Sequence, residues 1–224
     1  MYSYLLSVIP PMLLGAQCVL LLILLKGNIC PGQRGRIHKQ LPIIAILWLA
    51  ISPLFWPLAS VSVLIFVFFS QVKVSKTRES GPIWLLQLAL GFAIAFILFF
   101  IIGSERPQGL FILAGMMFLG ASFSHVLLLL ARTRLQAFHR LLPVVGIVAA
   151  MLVSLAILWQ TQYYSLNYLH KIIWSLAGCF MLVLAGIVGS TWHLFTNQTI
   201  QKLPPICGFM MSFAAMVGFA ALLY

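Results

Sequence analysis

The chain has 224 residues, of which 63% are hydrophobic and 7% are charged. A soluble domain contains only about 45–50% apolar residues, so this composition excludes a soluble globular fold. At about 20 apolar residues per crossing, the chain has room for about seven or eight membrane-spanning helices and no further domain. We therefore predict an all-α, polytopic membrane bundle in which residues 1–224 form a single transmembrane domain.

The formal net charge of +11 would point to nucleic acid in a soluble protein. Here the 13 Lys and Arg residues lie mainly in short loops between apolar runs, where such residues set the orientation of helices. We expect the lipid bilayer to surround the chain and expect no nucleic-acid partner. The residues from Met1 to Tyr4 include no basic residue and no cleavage pattern follows, so we expect no removable signal peptide.

Six apolar runs are long enough to cross a bilayer, and they cover residues 4–25, 82–102, 110–131, 141–159, 172–195 and 205–224. The stretch 41–71 is ambiguous, because its 31 residues are too many for one ordinary crossing and few for two. It contains Pro42, Pro53 and Pro57, and proline interrupts a helix. Seven helices result if this stretch is continuous, and eight if it turns.

Positive charge decides between these two topologies, since cytoplasmic loops carry the excess of Lys and Arg. With one long helix, the basic residues divide six to seven between the two sides. With a turn near Trp56 and Pro57, 11 of the 13 fall on one side and only Arg106 and Lys171 on the other. The 11 lie in loops 26–40, 73–80, 132–140 and 196–203. We therefore predict about eight crossings, with both termini on the non-cytoplasmic side.

Other patterns agree with this topology. Each helix entered from the basic side is predicted to open with a proline, which suits a first turn: Pro42, Pro82, Pro143 and Pro204. An interfacial aromatic belt is predicted on the opposite side from Trp159, Tyr163, Tyr164, Tyr168 and Trp174. Pairs of small residues four apart, such as Gly120 with Ser124, predict close helix packing.

The chain contains only two acidic residues, Glu79 and Glu105, and both fall in loops. Ion-coupled carriers and proton pumps use ionisable groups inside the membrane. A carboxylate-driven transporter is therefore disfavoured, as are intramembrane aspartyl proteases and metal-dependent phosphotransferases. The four cysteines are scattered singly, and the sequence predicts no metal site and no catalytic residue.

Two of the five histidines stand out. We expect His38, His139 and His170 to be solvated at loops, whereas His125 and His193 lie a turn or two inside helices from the basic side. His125 and His193 could lie at similar depth and face each other. Three interpretations remain open: interhelical hydrogen bonds, hydrogen bonding to a quinone, and bis-imidazole ligation of a b-type haem.

Three segments carry a resemblance to a known family. They are Gln17-Cys18-Val19, Leu24-Leu25-Lys26-Gly27, and Arg140-Leu141-Leu142-Pro143 after a basic loop. With eight crossings, the sequence resembles the DmsC-type membrane-anchor subunits of dimethyl sulfoxide reductase, over the first helix and about the last hundred residues. That family's quinol-site motif, His-Leu-Gly-Ser-Pro, is absent here, where the sequence reads Ser52-Pro53-Leu54-Phe55-Trp56-Pro57.

The resemblance implies a bacterial inner-membrane anchor for anaerobic respiration. Such an anchor oxidises menaquinol, carries no haem, and passes electrons to an iron-sulphur subunit that serves a molybdopterin catalytic subunit. On this interpretation His125 and His193 are the quinone-binding residues. The residues that set topology or dock the partner are then Arg34, Arg36, Lys39, Arg132, Arg134 and Arg140.

Two other functions fit the sequence. The proline-broken stretch 41–71 and the basic rim suit a carrier or channel for a small solute, since broken helices can line a binding site. Packing by small residues suits a non-catalytic assembly subunit within a larger membrane complex. A water-lined cavity at mid-depth would favour the carrier, and a wide exposed apolar face without a pocket would favour the assembly subunit.

Overall fold

The computed structural model describes residues 3–27, 29–72, 81–133, 135–196 and 201–223, and the regular secondary structure among them is helical, without strands. The α-helices are α1 (Ser3–Lys26), α2 (Pro31–His38), α3 (Leu41–Ile51), α4 (Ala59–Gln71), α5 (Ile83–Ile102), α6 (Arg106–Leu130), α7 (Gln136–Thr161), α8 (Leu166–Thr196) and α9 (Leu203–Leu223). The prediction of an all-α membrane bundle is confirmed.

Seven helices among the described residues are long and apolar enough to cross a membrane. They are Tyr4–Lys26, Pro31–Leu54, Ile83–Ile102, Pro107–Leu130, Ala137–Thr161, Leu166–Leu194 and Leu203–Leu223. The span Pro31–Leu54 combines α2, α3 and the single helical turn that follows α3. The remaining predicted crossing corresponds to the shorter apolar helix Trp56–Gln71.

The long apolar stretch 41–71 is broken at the predicted place. α3 ends at Ile51, and two single-turn 3₁₀ helices, Ser52–Leu54 and Trp56–Leu58, flank an extended Phe55 before α4 begins. Pro53 and Pro57 lie in these turns, where the missing N–H groups prevent a continuous helix. The Ser62 hydroxyl donates to the Ala45 carbonyl at 2.7 Å, so α3 and α4 pack together as a hairpin.

Three of the four prolines predicted to open helices lie at helix starts, and one does not. Pro42 and Pro204 lie in the first turns of α3 and α9, and Pro82 immediately precedes α5. The prediction that Pro143 opens a helix is wrong, because Pro143 lies inside α7, which begins at Gln136. Membrane helices tolerate internal proline when a neighbouring helix satisfies the freed carbonyl, and this is the case at Pro143.

Two helix pairs approach closely at glycine. In the α1–α6 pair, a Cβ on Gly120 would lie 2.7 Å from the Cα of Gly15. In the α8–α9 pair, a Cβ on Gly208 would lie 2.7 Å from the carbonyl oxygen of Gly186. Both contacts are backbone against backbone, so side chains at these glycines would push the helices apart.

The basic loops, as far as the structure describes them, meet at one end of the bundle, here called the basic end. It is defined by six exposed cations, Lys26, Arg36, Lys39, Arg132, Arg140 and Lys202. Arg36 bonds to the Arg132 carbonyl, and His38 at the end of α2 meets Phe68 near the end of α4 edge to face. These contacts place loop 26–40, the last turn of α4 and the α6–α7 loop together, as the charge count predicts.

The opposite end is joined by tyrosines of the α7–α8 loop and the start of α8. The Tyr168 hydroxyl donates to the Leu222 carbonyl at 2.9 Å, and the Tyr164 hydroxyl donates to the Leu223 carbonyl. Along α8, which exposes most of its apolar surface, Trp174 is 85% exposed and Trp192 is 51% exposed.

Candidate functional site

Three histidines from three helices meet near the basic end. The ring centroid of His125, on α6, lies 5.5 Å from that of His139 and 5.6 Å from that of His193. His139 belongs to the first turns of α7, and His193 lies near the end of α8. His125 is 1% exposed and His139 is 5% exposed, while His193 is half-buried. We refer to these three residues as the histidine cluster.

The turn at the end of α6 positions the Thr133 carbonyl, a backbone acceptor beside the histidine cluster. Arg132 adopts a left-handed conformation with φ of 50°, and the amide of Thr133 donates back to the Leu128 carbonyl at 3.2 Å. This is the hydrogen-bonding pattern of a Schellman motif, in which glycine is usual at the left-handed position. Arg36 from α2 donates to the Arg132 carbonyl at 2.6 Å and so holds the turn. The Thr133 carbonyl then lies 3.3 Å from Nε2 of His139.

A proline four residues further on supplies the second acceptor. In an α-helix, the carbonyl of residue 139 would accept a bond from the amide of residue 143. That residue is Pro143, which has no N–H, so the His139 carbonyl is free to bond elsewhere. Nε2 of His193 lies 3.2 Å from this carbonyl. Pro143 therefore provides the contact that joins α8 to α7 at the cluster.

Three ring nitrogens of the cluster are buried without a hydrogen-bond partner among the described residues. They are Nε2 of His125, Nδ1 of His139 and Nδ1 of His193. An unsatisfied buried polar group costs about 1–3 kcal/mol, and such groups are expected to find partners. The cluster thus has free hydrogen-bonding capacity for a polar group close to the edge of the membrane.

The structure brings the two sequence-predicted histidines together and adds a third. His125 and His193 face each other, and their quinone-binding role stays a prediction. The expectation that His38 and His139 are solvated is wrong, because both are buried. His38 packs on Phe68, and α7 begins before Pro143 and carries His139 into the bundle. His170 is exposed, as expected.

Within the described ranges, no group of three or more His, Cys, Asp and Glu side chains is placed to hold a metal ion. This holds for the histidine cluster as well, whose imidazoles offer hydrogen-bonding nitrogens.

A cationic surface surrounds the cluster. Of the predicted docking residues, Arg36, Lys39, Arg132 and Arg140 are exposed and Arg34 is half-buried, while Arg134 lies outside the described residues. The described acidic residue, Glu105, precedes α6 at the opposite end. The basic end therefore presents a positive surface to anionic groups.

A second feature is an apolar cleft of about 440 Å³ beside the α3–α4 bend. It lies between this bend and α5, and half of its lining residues are aromatic: Phe55, Trp56, Phe92, Phe96 and Phe99. The one polar side chain in the lining is Ser60, whose hydroxyl donates to the Pro57 carbonyl. The cleft suits a hydrocarbon chain better than a polar solute.

The fold and the site define a multi-span helical membrane protein with a polar cluster near one membrane edge. The profile of a protein family described as an integral membrane domain matches residues 3–218, and the chain belongs to that family.

A protein of Haemophilus influenzae, described as uncharacterized, is 34% identical over 160 residues. The match covers 63% of this chain and 57% of that protein, so the chain spans little more than half of its relative's length. No solved structure matches the chain.

Proposed function

We propose that this protein is the membrane-anchor subunit of an anaerobic reductase of the molybdoenzyme type in a bacterial inner membrane. It takes electrons from menaquinol and passes them to a docked iron-sulphur subunit, which supplies a molybdopterin catalytic subunit. The observation that carries the proposal is the histidine cluster, with its buried, unpaired nitrogens beside the basic end.

The position of the cluster suits a quinol headgroup. Quinol carries its polar ring near a membrane edge while its isoprenoid tail stays among hydrocarbon, and the cluster lies at the edge of the apolar core. Oxidation of one quinol to quinone releases two electrons and two protons. The electrons go to the iron-sulphur clusters of the partner, and the imidazoles of His125 and His193 receive protons close to the solvent at the basic end.

The basic end suits the docking of a soluble electron acceptor. Exposed Lys39 and Arg140 lie on the same end as the cluster, so a subunit bound there is close to the quinol. Cationic surfaces steer acidic partners and fix their orientation. By the charge rule this end faces the cytoplasm, where the proposed iron-sulphur subunit then docks.

The alternative of a small-solute carrier gains less from the geometry. Its best support is the broken stretch 41–71, but the cleft beside that break is apolar. The alternative of a non-catalytic assembly subunit explains the exposed face of α8 but gives the buried nitrogens no role.

Co-purification tests the proposed function. The tagged chain is purified in mild detergent from anaerobically grown native cells, and the accompanying chains and the visible spectrum are determined. We expect an iron-sulphur protein and a molybdenum enzyme, without haem bands. A colourless chain recovered alone, or reduced b-type bands from the chain itself, contradicts the proposal.

A matched pair of variants tests the docking surface in the same experiment. Lys39→Gln combined with Arg140→Gln removes two exposed charges from the basic end and should reduce recovery of the iron-sulphur protein severalfold. Lys171→Gln removes an exposed charge from the opposite end and should leave recovery unchanged. Equal recovery with both variants would show that the partner does not use the basic end.

A further inference from the structure

The hydrogens of the histidine cluster can be assigned from their partners. A backbone carbonyl only accepts hydrogen bonds, so a ring nitrogen bonded to it must carry a hydrogen. Nε2 of His139 faces the Thr133 carbonyl at 3.3 Å, and Nε2 of His193 faces the His139 carbonyl at 3.2 Å. In their neutral forms both rings are therefore Nε2–H tautomers, and Nδ1 of each is an acceptor without a hydrogen.

The ring nitrogens of the neutral cluster then include more acceptors than N–H donors can satisfy. A neutral imidazole has one N–H and one acceptor nitrogen. The N–H groups of His139 and His193 are used by carbonyls, which leaves two Nδ1 acceptors. His125 adds at most one N–H toward them, and its own second nitrogen is another acceptor. Among the described residues, at least one buried acceptor in the cluster therefore lacks a hydrogen, whichever tautomer His125 adopts.

We infer that His139 is a third ligand-contacting residue and that the cluster selects a ligand that donates a hydrogen bond, such as the hydroxyl of a hydroquinone. The oxidised quinone offers only carbonyl acceptors, so it cannot supply the missing hydrogen. This inference rests on the proposed quinol function and specifies which redox form the site takes. It also gives a role to His139, which the sequence predicts to be a solvated loop residue.

The tautomers can be measured directly. In the full chain labelled with ¹⁵N-histidine, nitrogen chemical shifts distinguish a protonated ring nitrogen from an unprotonated one. We expect His139 and His193 each to show a protonated Nε2 and an unprotonated Nδ1 at neutral pH. Assignments are made by loss of signals in single His→Ala variants. A protonated Nδ1 on both residues would overturn the inference, because the cluster would then have enough donors.

The selectivity is tested with one probe in two redox forms. The full chain in detergent is titrated anaerobically with 2-methyl-1,4-naphthohydroquinone and with the corresponding quinone, and tryptophan fluorescence reports binding. We expect the hydroquinone to bind at least about tenfold more tightly, a difference of about 1.4 kcal/mol. His139→Ala should abolish most of this preference.

Two further variants separate ligand contact from a merely structural role. His139→Asn keeps an acceptor near the position of Nδ1 and should restore part of the preference for hydroquinone. His170→Ala removes an exposed histidine outside the cluster and should change neither affinity. If His139→Ala lowers both affinities equally, His139 only supports the fold and the inference fails.

The outcomes distinguish this inference from the proposed function. Equal binding of both redox forms overturns the inference, with water then supplying the missing hydrogen, and leaves quinol oxidation standing. Binding of neither form contradicts both. A stoichiometric metal in the purified chain that is lost in His139→Ala overturns the inference too, since the acceptors would then be ligands.

Discussion

Gly120 has no room for a side chain where α6 crosses α1. A Cβ at this position would meet the Cα and carbonyl carbon of Gly15 at 2.7 and 2.9 Å, and backbone atoms cannot rotate away. Gly120→Ala should therefore lower the free energy of unfolding by about 1–3 kcal/mol, the usual cost of overpacking. Titration with denaturing detergent in mixed micelles, followed by circular dichroism, measures this change.

Gly178 is the matched control, since it is also a helical glycine. A Cβ on Gly178 would meet nothing within 4 Å. Gly178→Ala should leave stability unchanged or raise it by up to about 1 kcal/mol through helix propensity. Similar losses from both substitutions would mean that the α1–α6 crossing is not the cause.

Single residues of the site were predictable only in part. His125 and His193 each lie a turn or two along their helices from a basic loop, so the sequence places them at similar depth. In the structure their rings meet. The burial of His139 was missed because it stands beside Arg140 in a stretch of basic character. The sequence does carry one signal for this burial, because His139 stands four residues before Pro143. If Pro143 lies inside a helix and not at its start, the His139 carbonyl loses its amide partner and is free to bond elsewhere.

Helix α7 depends on its proline for the contact with α8. Pro143→Ala supplies an N–H that can bond to the His139 carbonyl, in competition with Nε2 of His193. We expect the unfolding midpoint to rise, because proline is the least favourable residue in a helix interior, while the preference for hydroquinone falls. Thermal unfolding and the anaerobic titration measure the two effects.

Pro204→Ala is the control for this substitution. Pro204 lies in the first turn of α9, where the amide has no intrahelical partner to regain. It should change neither the preference nor the midpoint beyond a small shift. A fall in both stability and selectivity on Pro143→Ala would indicate a general disruption of α7 instead.

Helix existence was more predictable than helix boundaries. Apolar length identified six long runs, and the distribution of Lys and Arg divided 41–71 into a hairpin that the structure confirms. The short helix α2 was not predicted, because its eight residues have no apolar run. Its position depends on tertiary contacts, including the bond from Arg36 to the Arg132 carbonyl, which sequence patterns do not indicate.

The arrangement of the whole molecule predicts its orientation. The basic end should face the cytoplasm, with both termini on the other side. Single cysteines replacing Lys39 or Arg140 should react with a membrane-impermeant maleimide only after the cells are opened, in a background without native cysteines. Cysteines replacing Ser104 or Tyr163 should react in intact cells.

The reverse labelling pattern would contradict this orientation. Labelling of all four positions in intact cells would instead indicate leaky membranes, which a cytoplasmic marker protein controls for. An inverted protein would place the histidine cluster on the non-cytoplasmic side, and the proposed partner would then have to dock there.

The tryptophans of α8 have a consequence for the membrane that this protein prefers. Trp174 and Trp192 are 18 residues apart on one helix, which corresponds to about 27 Å along its axis. Tryptophan favours the boundary between hydrocarbon and headgroups, so this spacing matches a hydrocarbon layer slightly thinner than the average of about 30 Å. In bilayers of long-chain lipids, α8 should therefore thin the bilayer around it. The chain should also sort toward thinner regions of its membrane.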